Sequence, residues 1–91
     1  MNREKIADII FDRACTKAQI TGNSKVQLDI GRLGFPTDVL DTVLPIIRSF
    51  HKVYEDENMI AVTAIVLSCD YSDDHTKLSL HINPDWLEIQ N

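Results

Sequence analysis

The stretch with the most chemically capable side chains is "CDYSDDHTK", which runs from Cys69 to Lys77. Three aspartates, a histidine, a tyrosine and a thiol stand close together there. Side chains of these types could ligate a metal ion, lie against nucleic acid, or present an acidic surface to a basic protein. The elements that position the stretch decide between the three interpretations.

A calcium loop is the first interpretation. Asp70, Ser72 and Asp74 alternate as the first ligands of an EF-hand loop do. That loop needs glycine at its sixth position, where this chain has His75, and a bidentate acid at its twelfth, where this chain has His81. The pattern fails at both decisive positions, so we predict no calcium site.

Zinc sites, nucleophiles and phosphate loops are no better matched. Cys69 and His75 lack the second closely spaced ligand pair of a zinc site. Neither Cys15 nor Cys69 has a histidine in a recognised catalytic arrangement, and a thiol that ends an apolar run is expected to be buried and inert. Gly31 and Gly34 are not followed by the lysine of a phosphate-binding loop. We therefore predict no enzyme, metal or cofactor.

The composition describes one small globular domain over residues 1–91. Its hydrophobic share of 44% and charged share of 25% are typical of folded chains. No segment reaches the roughly 18 apolar residues of a membrane span, and the charged N-terminus lacks the apolar core of a signal peptide. Two cysteines fit a reducing compartment. A cytoplasmic protein without a membrane partner is expected.

Charge is distributed unevenly along the chain. Residues 1–53 contain eight Lys/Arg and six Asp/Glu, a balance of +2, whereas residues 54–91 contain one Lys and eight Asp/Glu, a balance of −7. The two balances sum to the net charge of −5. An asymmetry of this kind usually bears on the choice of partner, and here it favours a basic one.

The first half of the chain predicts helix, strand, helix. Asn2 can cap a helix over "REKIADIIFDRACTKAQI" that ends near Gly22, and "KVQLDI" alternates like a half-buried strand. "GRLGFP" is interpreted as a connection. Thr37 can cap the second helix, which Pro45 is expected to kink or to end early.

The second half predicts three strands and a final helical turn. "HKVY" is a short strand and "EDEN" a turn, and "MIAVTAIVLSC" is apolar at both alternating sets, which predicts one central strand covered on both faces. "DYSDDHT" forms a hairpin loop before the strand "KLSLHI", and Asn83 and Pro84 start a last turn with Trp86 folded back on the body. The predicted fold is a two-layer α+β domain, in the order α-β-α-β-β-β, with an antiparallel meander or hairpin in its C-terminal half.

The stretch "LDIGRLGFPTDVLDTVL" resembles the turn and recognition helix of a winged helix-turn-helix domain, the fold of many plasmid and phage replication initiators and repressors. The resemblance implies a winged-helix-like fold with "DYSDDHT" as its wing. The chain departs from the family pattern at Ile30, where a small residue belongs, and at Asp38 and Asp41, where the helix would meet DNA. "KVQLDI" also stands as a strand where the motif has its first helix. A DNA binder concentrates positive charge at its contact face.

Acidic clusters interleaved with aromatic side chains are the third interpretation. "YEDEN", "CDYSDDH" and "NPDWLE" join acids to tyrosine or tryptophan, as electrostatically steered protein interfaces do. Exposed acidic turns also keep a protein soluble and block pairing of strand edges. The candidate partner-binding residues are Tyr54, Glu55, Asp56, Glu57, Asp70, Tyr71, Asp73, Asp74, Asp85 and Trp86.

These observations predict a small acidic, non-enzymatic protein-binding module. An inhibitor or adaptor of phage or mobile-element type is expected, comparable in size and charge to anti-CRISPR proteins, that docks on the basic surface of a nuclease or another nucleic-acid-binding protein. The alternative is a winged-helix-like domain in DNA binding, replication or regulation, although direct binding of nucleic acid is less favoured by the charges. A homo-oligomer assembled through strand edges is a further class.

Overall fold

The computed structural model describes residues 2–89 as four helices and five strands. In chain order these are α1 (Arg3–Thr21), β1 (Lys25–Asp29), α2 (Ile30–Leu33), α3 (Thr37–Arg48), β2 (His51–Asp56), β3 (Met59–Ala64), β4 (Val66–Tyr71), β5 (Lys77–Ile82) and α4 (Pro84–Ile89). All strand pairs are antiparallel. The predicted α+β class with antiparallel strands in the C-terminal half is therefore confirmed.

The core lies between two long helices and a three-stranded sheet. That sheet has the order β1-β5-β4, and α1 and α3 pack on each other and on its strands. Alternate residues of the strands face the helices, as the alternation of β1 and β5 predicts. The fully buried larger side chains are Ile10, Leu40, Val43, Ile47, Cys69, Leu78, Leu80 and Ile82.

Both ends of α1 follow from its capping residues. The Asn2 side chain accepts a hydrogen bond from the Lys5 amide (2.8 Å), which satisfies one of the free donors of the first turn. Gly22 ends the helix with φ 68°, a left-handed conformation in which glycine carries no steric penalty. At the other end of the chain, Asn83 accepts from the Asp85 amide and starts α4 as predicted.

The segment "GRLGFP", expected to be a connection only, begins with one helical turn. Asp29 closes β1 and at once caps α2, since its carboxylate accepts from the Gly31 amide (2.9 Å). The first helix of the helix-turn-helix resemblance is thus present as α2, and Gly34–Pro36 is the turn that leads into α3. A four-residue helix is too short for its apolar spacing to be recognised in a sequence.

The start and end of α3 differ from the expectations. Pro36 stands at the cap position without a side-chain hydrogen bond, and Thr37 is already helical. Pro45 neither ends nor shortens the helix, which continues to Arg48. An interior proline removes one helix hydrogen bond and crowds the carbonyl four residues earlier, here that of Asp41, so other contacts must offset this cost. Packing of buried Val43, Leu44 and Ile47 against the body holds the last turn in place.

The apolar run "MIAVTAIVLSC" is the main correction. It forms two strands, β3 and β4, in two different sheets, and not one central strand covered on both faces. The strand is interrupted at Ile65. Its amide donates to the Phe50 carbonyl (3.0 Å), and its carbonyl accepts from the Asn83 amide (2.8 Å). Only the second half of the run enters the core.

The first half of the run belongs to an exposed hairpin, here named the arm, residues 51–64. Among residues 2–89, strands β2 and β3 pair only with each other, and every arm residue except the partly buried Thr63 is exposed. The arm emerges directly after α3 and returns at β4. The molecule is correspondingly elongated, with extents of 45 × 29 × 22 Å.

With the arm set aside, the connectivity agrees with the winged-helix resemblance. One helix and one strand precede α2 and α3, and the β4–β5 hairpin then pairs with β1 in the order β1-β5-β4. The loop between β4 and β5 takes the place of the wing. Among residues 2–89, none of the helices is long and apolar enough to cross a membrane.

Candidate protein-binding site

Five aspartates lie on α3, on the edge strand β4 and in the loop that follows it. We name this surface the acidic edge, and its members are Asp38, Asp41, Asp70, Asp73 and Asp74. All five are exposed. Asp38 and Asp41 share one side of α3 because residues three apart are neighbours on a helix. The contacts between α3 and β4 place this helix beside the strand that leads into the loop.

A hydrogen bond from Tyr71 to Asp41 connects β4 to α3. The Tyr71 hydroxyl donates to an Asp41 carboxylate oxygen at 2.6 Å. Partial burial and this hydrogen bond raise the pKa of Tyr71 to about 12, so the hydroxyl remains a donor at neutral pH. Tyr71 is therefore half-buried and fixed in place. Tyr71 thus holds Asp41 in position and is itself partly exposed beside the acidic edge.

Arg48 holds the middle of β4. Its Nε donates to the Cys69 carbonyl (2.8 Å), on the free edge of the strand, and a terminal nitrogen meets the Asp70 carboxylate at 2.7 Å. Both side chains remain substantially exposed, so the pair contributes little to stability. The pair matters more for charge, because it neutralises the only arginine of α3.

The loop of residues 72–76 is ordered around Asp74. One carboxylate oxygen of Asp74 accepts from the Thr76 hydroxyl (2.8 Å), the Ser72 hydroxyl (2.8 Å) and the Thr76 amide (3.1 Å). These hydrogen bonds, with that of the Thr76 hydroxyl first, lower the pKa of Asp74 to about 2. Asp74 therefore keeps its negative charge throughout the physiological range.

We expect the Asp74 carboxyl to titrate near pH 2 in the folded protein, against 3.8 for an ordinary aspartate. A depressed folded-state pKa gives a stabilising contribution that is present above the unfolded value and lost as the pH falls from there toward 2. Carboxyl chemical shifts across the acid range measure the midpoint. Thr76→Val should move it toward 3.8, and an unchanged midpoint in that variant would contradict the role of the hydroxyl.

The other predicted partner-binding residues lie elsewhere. Glu55, Asp56 and Glu57 stand at the tip of the arm, and Tyr54 lies just before them. Asp85 is in the first turn of α4, and Trp86 packs on Phe11 with ring centroids 5.6 Å apart. The predicted set therefore occupies three separate places: the end of the arm, the first turn of α4, and β4 with the loop that follows it. Only the last place, where Asp70, Tyr71, Asp73 and Asp74 lie, coincides with the acidic edge.

Nucleophilic chemistry finds no support in the two thiols. Cys69 is fully buried, and burial raises its pKa to about 12. Burial and the neighbouring Asp12 raise the pKa of Cys15 to about 11. Within residues 2–89, no three His, Cys, Asp or Glu side chains are grouped as metal ligands. The expected absence of a bound metal stays a prediction.

Two aspartates and one arginine of the site were not among the predicted binding residues. The sequence marks Asp38 and Asp41 only as departures from a DNA-binding helix, and no sequence pattern points to Arg48. A usable signal was the resemblance itself, since it places the recognition helix beside the wing. No protein-family model, curated protein or solved structure significantly matches the chain.

Proposed function

We propose that this chain is a small non-enzymatic protein-binding module that acts in the cytoplasm as an inhibitor or adaptor. It docks through the acidic edge on a basic surface of another protein, one that itself binds nucleic acid. The observation that carries the proposal is the hydrogen bond from Tyr71 to Asp41, which fixes one acid of α3 beside the end of β4 that leads into the acidic loop. Free thiols are consistent with a reducing compartment.

Charge complementarity supports a basic partner. The acidic edge has five carboxylates, while the nearby cations are Lys77, Arg48, which is already paired with Asp70, and Arg3, whose Nε donates to the Thr42 hydroxyl on α3. Charged surfaces of this kind accelerate encounter with a partner of opposite sign and exclude partners of the same sign. A nucleic acid is a polyanion, so its phosphates would be repelled.

The position of the acids supports a nucleic-acid-binding protein as the partner. The winged-helix resemblance puts DNA contacts on the helix that corresponds to α3 and on the wing. This chain has carboxylates at those places. Exposed carboxylates held by α3 and by a hydrogen-bonded loop can occupy cationic sites that ordinarily bind phosphate groups. The chain would then compete with nucleic acid for its partner, as inhibitors of phage or mobile-element type do.

A DNA-binding or regulatory domain is the second candidate, and the connectivity favours it. The order of helices and strands agrees with a winged helix once the arm is set aside. The charge of the corresponding surface opposes it, because α3 bears two aspartates against one paired arginine. The two candidates predict opposite responses to a reversal of that charge.

Capture followed by displacement tests the proposal. The immobilised protein is exposed to a bacterial lysate treated with nuclease, washed, and eluted with a short DNA duplex. We expect nucleic-acid-binding proteins to be retained and then released by the duplex, because both ligands need the same basic surface. Mass spectrometry identifies the released proteins.

Two charge-reversed variants sharpen the test. Asp38→Lys with Asp73→Lys alters two acids that make no side-chain hydrogen bond within residues 2–89, and it should retain none of the released proteins. Asp8→Lys with Asp12→Lys makes the same change of charge on the exposed side of α1, away from the acidic edge, and should retain them all. Equal retention by the two variants, or proteins that DNA cannot displace, would refute the proposal.

A further inference from the structure

The arm exposes apolar side chains on both of its faces. Opposite residues of an antiparallel pair share a face. One face therefore has Val53, Val62 and Ile60, and the other has Tyr54 and Met59. Ile60 is 73% exposed, Met59 69% and Val62 64%.

A hairpin of two strands is marginally stable by itself in water. Contiguous exposed apolar residues also mark an interaction surface. The arm therefore requires a cover that its own body does not supply.

Charge is concentrated at the end of the arm. Glu55, Asp56 and Glu57 form the tip and its turn, and each is exposed. Six strand residues at roughly 3.3 Å each make the arm about 20 Å long. The surface that receives the arm must accept three carboxylates together with the apolar side chains just behind them.

The same chain has a groove of the matching character. It has a volume of about 660 Å³ and lies between the C-terminal end of α1 and the outer side of the sheet. Lys17 and Lys25 line it with Ser68, Ser79 and His81, and among the described residues no carboxylate does so. It is a cationic surface on a protein whose net charge is −5.

Apolar surface borders this groove as well. Ile20 is 80% exposed and lies one helical turn after Lys17, on the same side of α1. Leu67 is 51% exposed and precedes the lining residue Ser68 at an irregularity of β4. The groove therefore combines cationic and apolar character, as the arm combines an acidic tip with apolar strands.

We infer that the occupant of the groove is the arm of a second copy of this chain. Each molecule places its acidic tip on Lys17 and Lys25 of the other, with the face that has Ile60 and Val62 against the apolar border. Reciprocal exchange makes a closed two-fold dimer, in which every contact occurs twice. A stable interface buries roughly 1,200–2,000 Å², and two arms contribute to it. The inference does not depend on the acidic edge or on its partner.

Sedimentation velocity over a range of concentrations tests the exchange through charge reversal. The wild-type chain should dimerise. Lys17→Glu with Lys25→Glu, and separately Glu55→Lys with Glu57→Lys, should each weaken dimerisation about 10- to 100-fold, because like charges then face each other at both contacts. When these two variants are mixed, both contacts regain opposite charges, so a mixed dimer should form.

The controls separate this result from misfolding and from the proposed function. Lys25→Glu alone, whose side chain makes no hydrogen bond within residues 2–89, should also weaken the dimer, and circular dichroism should show wild-type folding for every variant. Asp8→Lys with Asp12→Lys should leave the dimer intact. A monomeric wild-type chain, a dimer that persists in the charge-reversed variants, or a mixture that does not associate would overturn the inference. Partner capture through the acidic edge is read out separately with Asp38→Lys and Asp73→Lys.

Discussion

Replacing Leu80 with aspartate is expected to abolish the cooperative unfolding transition of this protein. Leu80 lies on the central strand β5, between buried Val26 of β1 and buried Cys69 of β4, and is itself 2% exposed. A carboxylate at this position would have no partner, and an unpaired buried charge costs several kcal/mol. The total stability of a small domain is about 5–15 kcal/mol, so little or none would remain.

The matched variant Val62→Asp should keep a cooperative thermal transition. Val62 is 64% exposed on the arm, so the new carboxylate stays in water. Circular dichroism during heating compares the two variants, at concentrations low enough to avoid self-association. Loss of the transition in Val62→Asp would mean that the arm packs on the body, and a normal transition in Leu80→Asp would mean that the sheet is assigned wrongly.

The contrast between Leu80 and Val62 shows where the sequence pattern gives a wrong prediction. An apolar run with both alternating sets filled predicts a strand covered on two faces, and the second half of the run obeys the rule at Val66 and Cys69. The first half is also rich in apolar β-branched residues, but within the described part of the chain it pairs only with β2 and both of its faces are exposed. The spacing of apolar residues indicates which side chains favour burial. It does not indicate whether the same molecule or another one buries them.

Local signals were more dependable where one residue determines the geometry. The cap at Asn2, the left-handed end at Gly22 and the start of α4 at Asn83 all follow from hydrogen bonds between near neighbours. Pro45 shows the limit of such signals. Its effect on α3 depends on the packing of the turn that follows, which is a tertiary property.

The candidate site was predictable in part for the same reason. Asp73 and Asp74 share the loop of Tyr71, so the sequence places them together. The meeting of Asp41 with Tyr71, and of Arg48 with Asp70, spans 30 and 22 residues. Such contacts depend on how α3 lies against β4, which local propensity does not determine.

The largest expected effect on binding comes from Asp38→Lys combined with Asp73→Lys. Long-range attraction governs the rate of encounter, and short-range packing governs dissociation. With the partner identified by DNA displacement, we expect association at low salt to slow by about 10- to 1,000-fold. The dissociation rate should change far less. Surface plasmon resonance measures the two rates separately.

Salt and DNA make the same variant decisive between the two candidate functions. The loss of association should shrink as salt rises, because charges further apart than about 8 Å are screened at physiological ionic strength. Asp8→Lys with Asp12→Lys, which adds the same positive charge on α1, should slow association much less, and it should leave association nearly unchanged at physiological salt, where its distance from the interface exceeds the screening length. A DNA-binding domain would respond with the opposite sign, since two lysines beside the phosphates would tighten binding to a duplex and steepen its dependence on salt.

If the variant weakens the protein complex and leaves duplex binding at the level of the α1 control, the acidic edge serves a protein partner. If only duplex binding rises above that control, α3 and the loop serve DNA. If neither changes, the five aspartates are a solvated surface, and both candidate functions fail at this site.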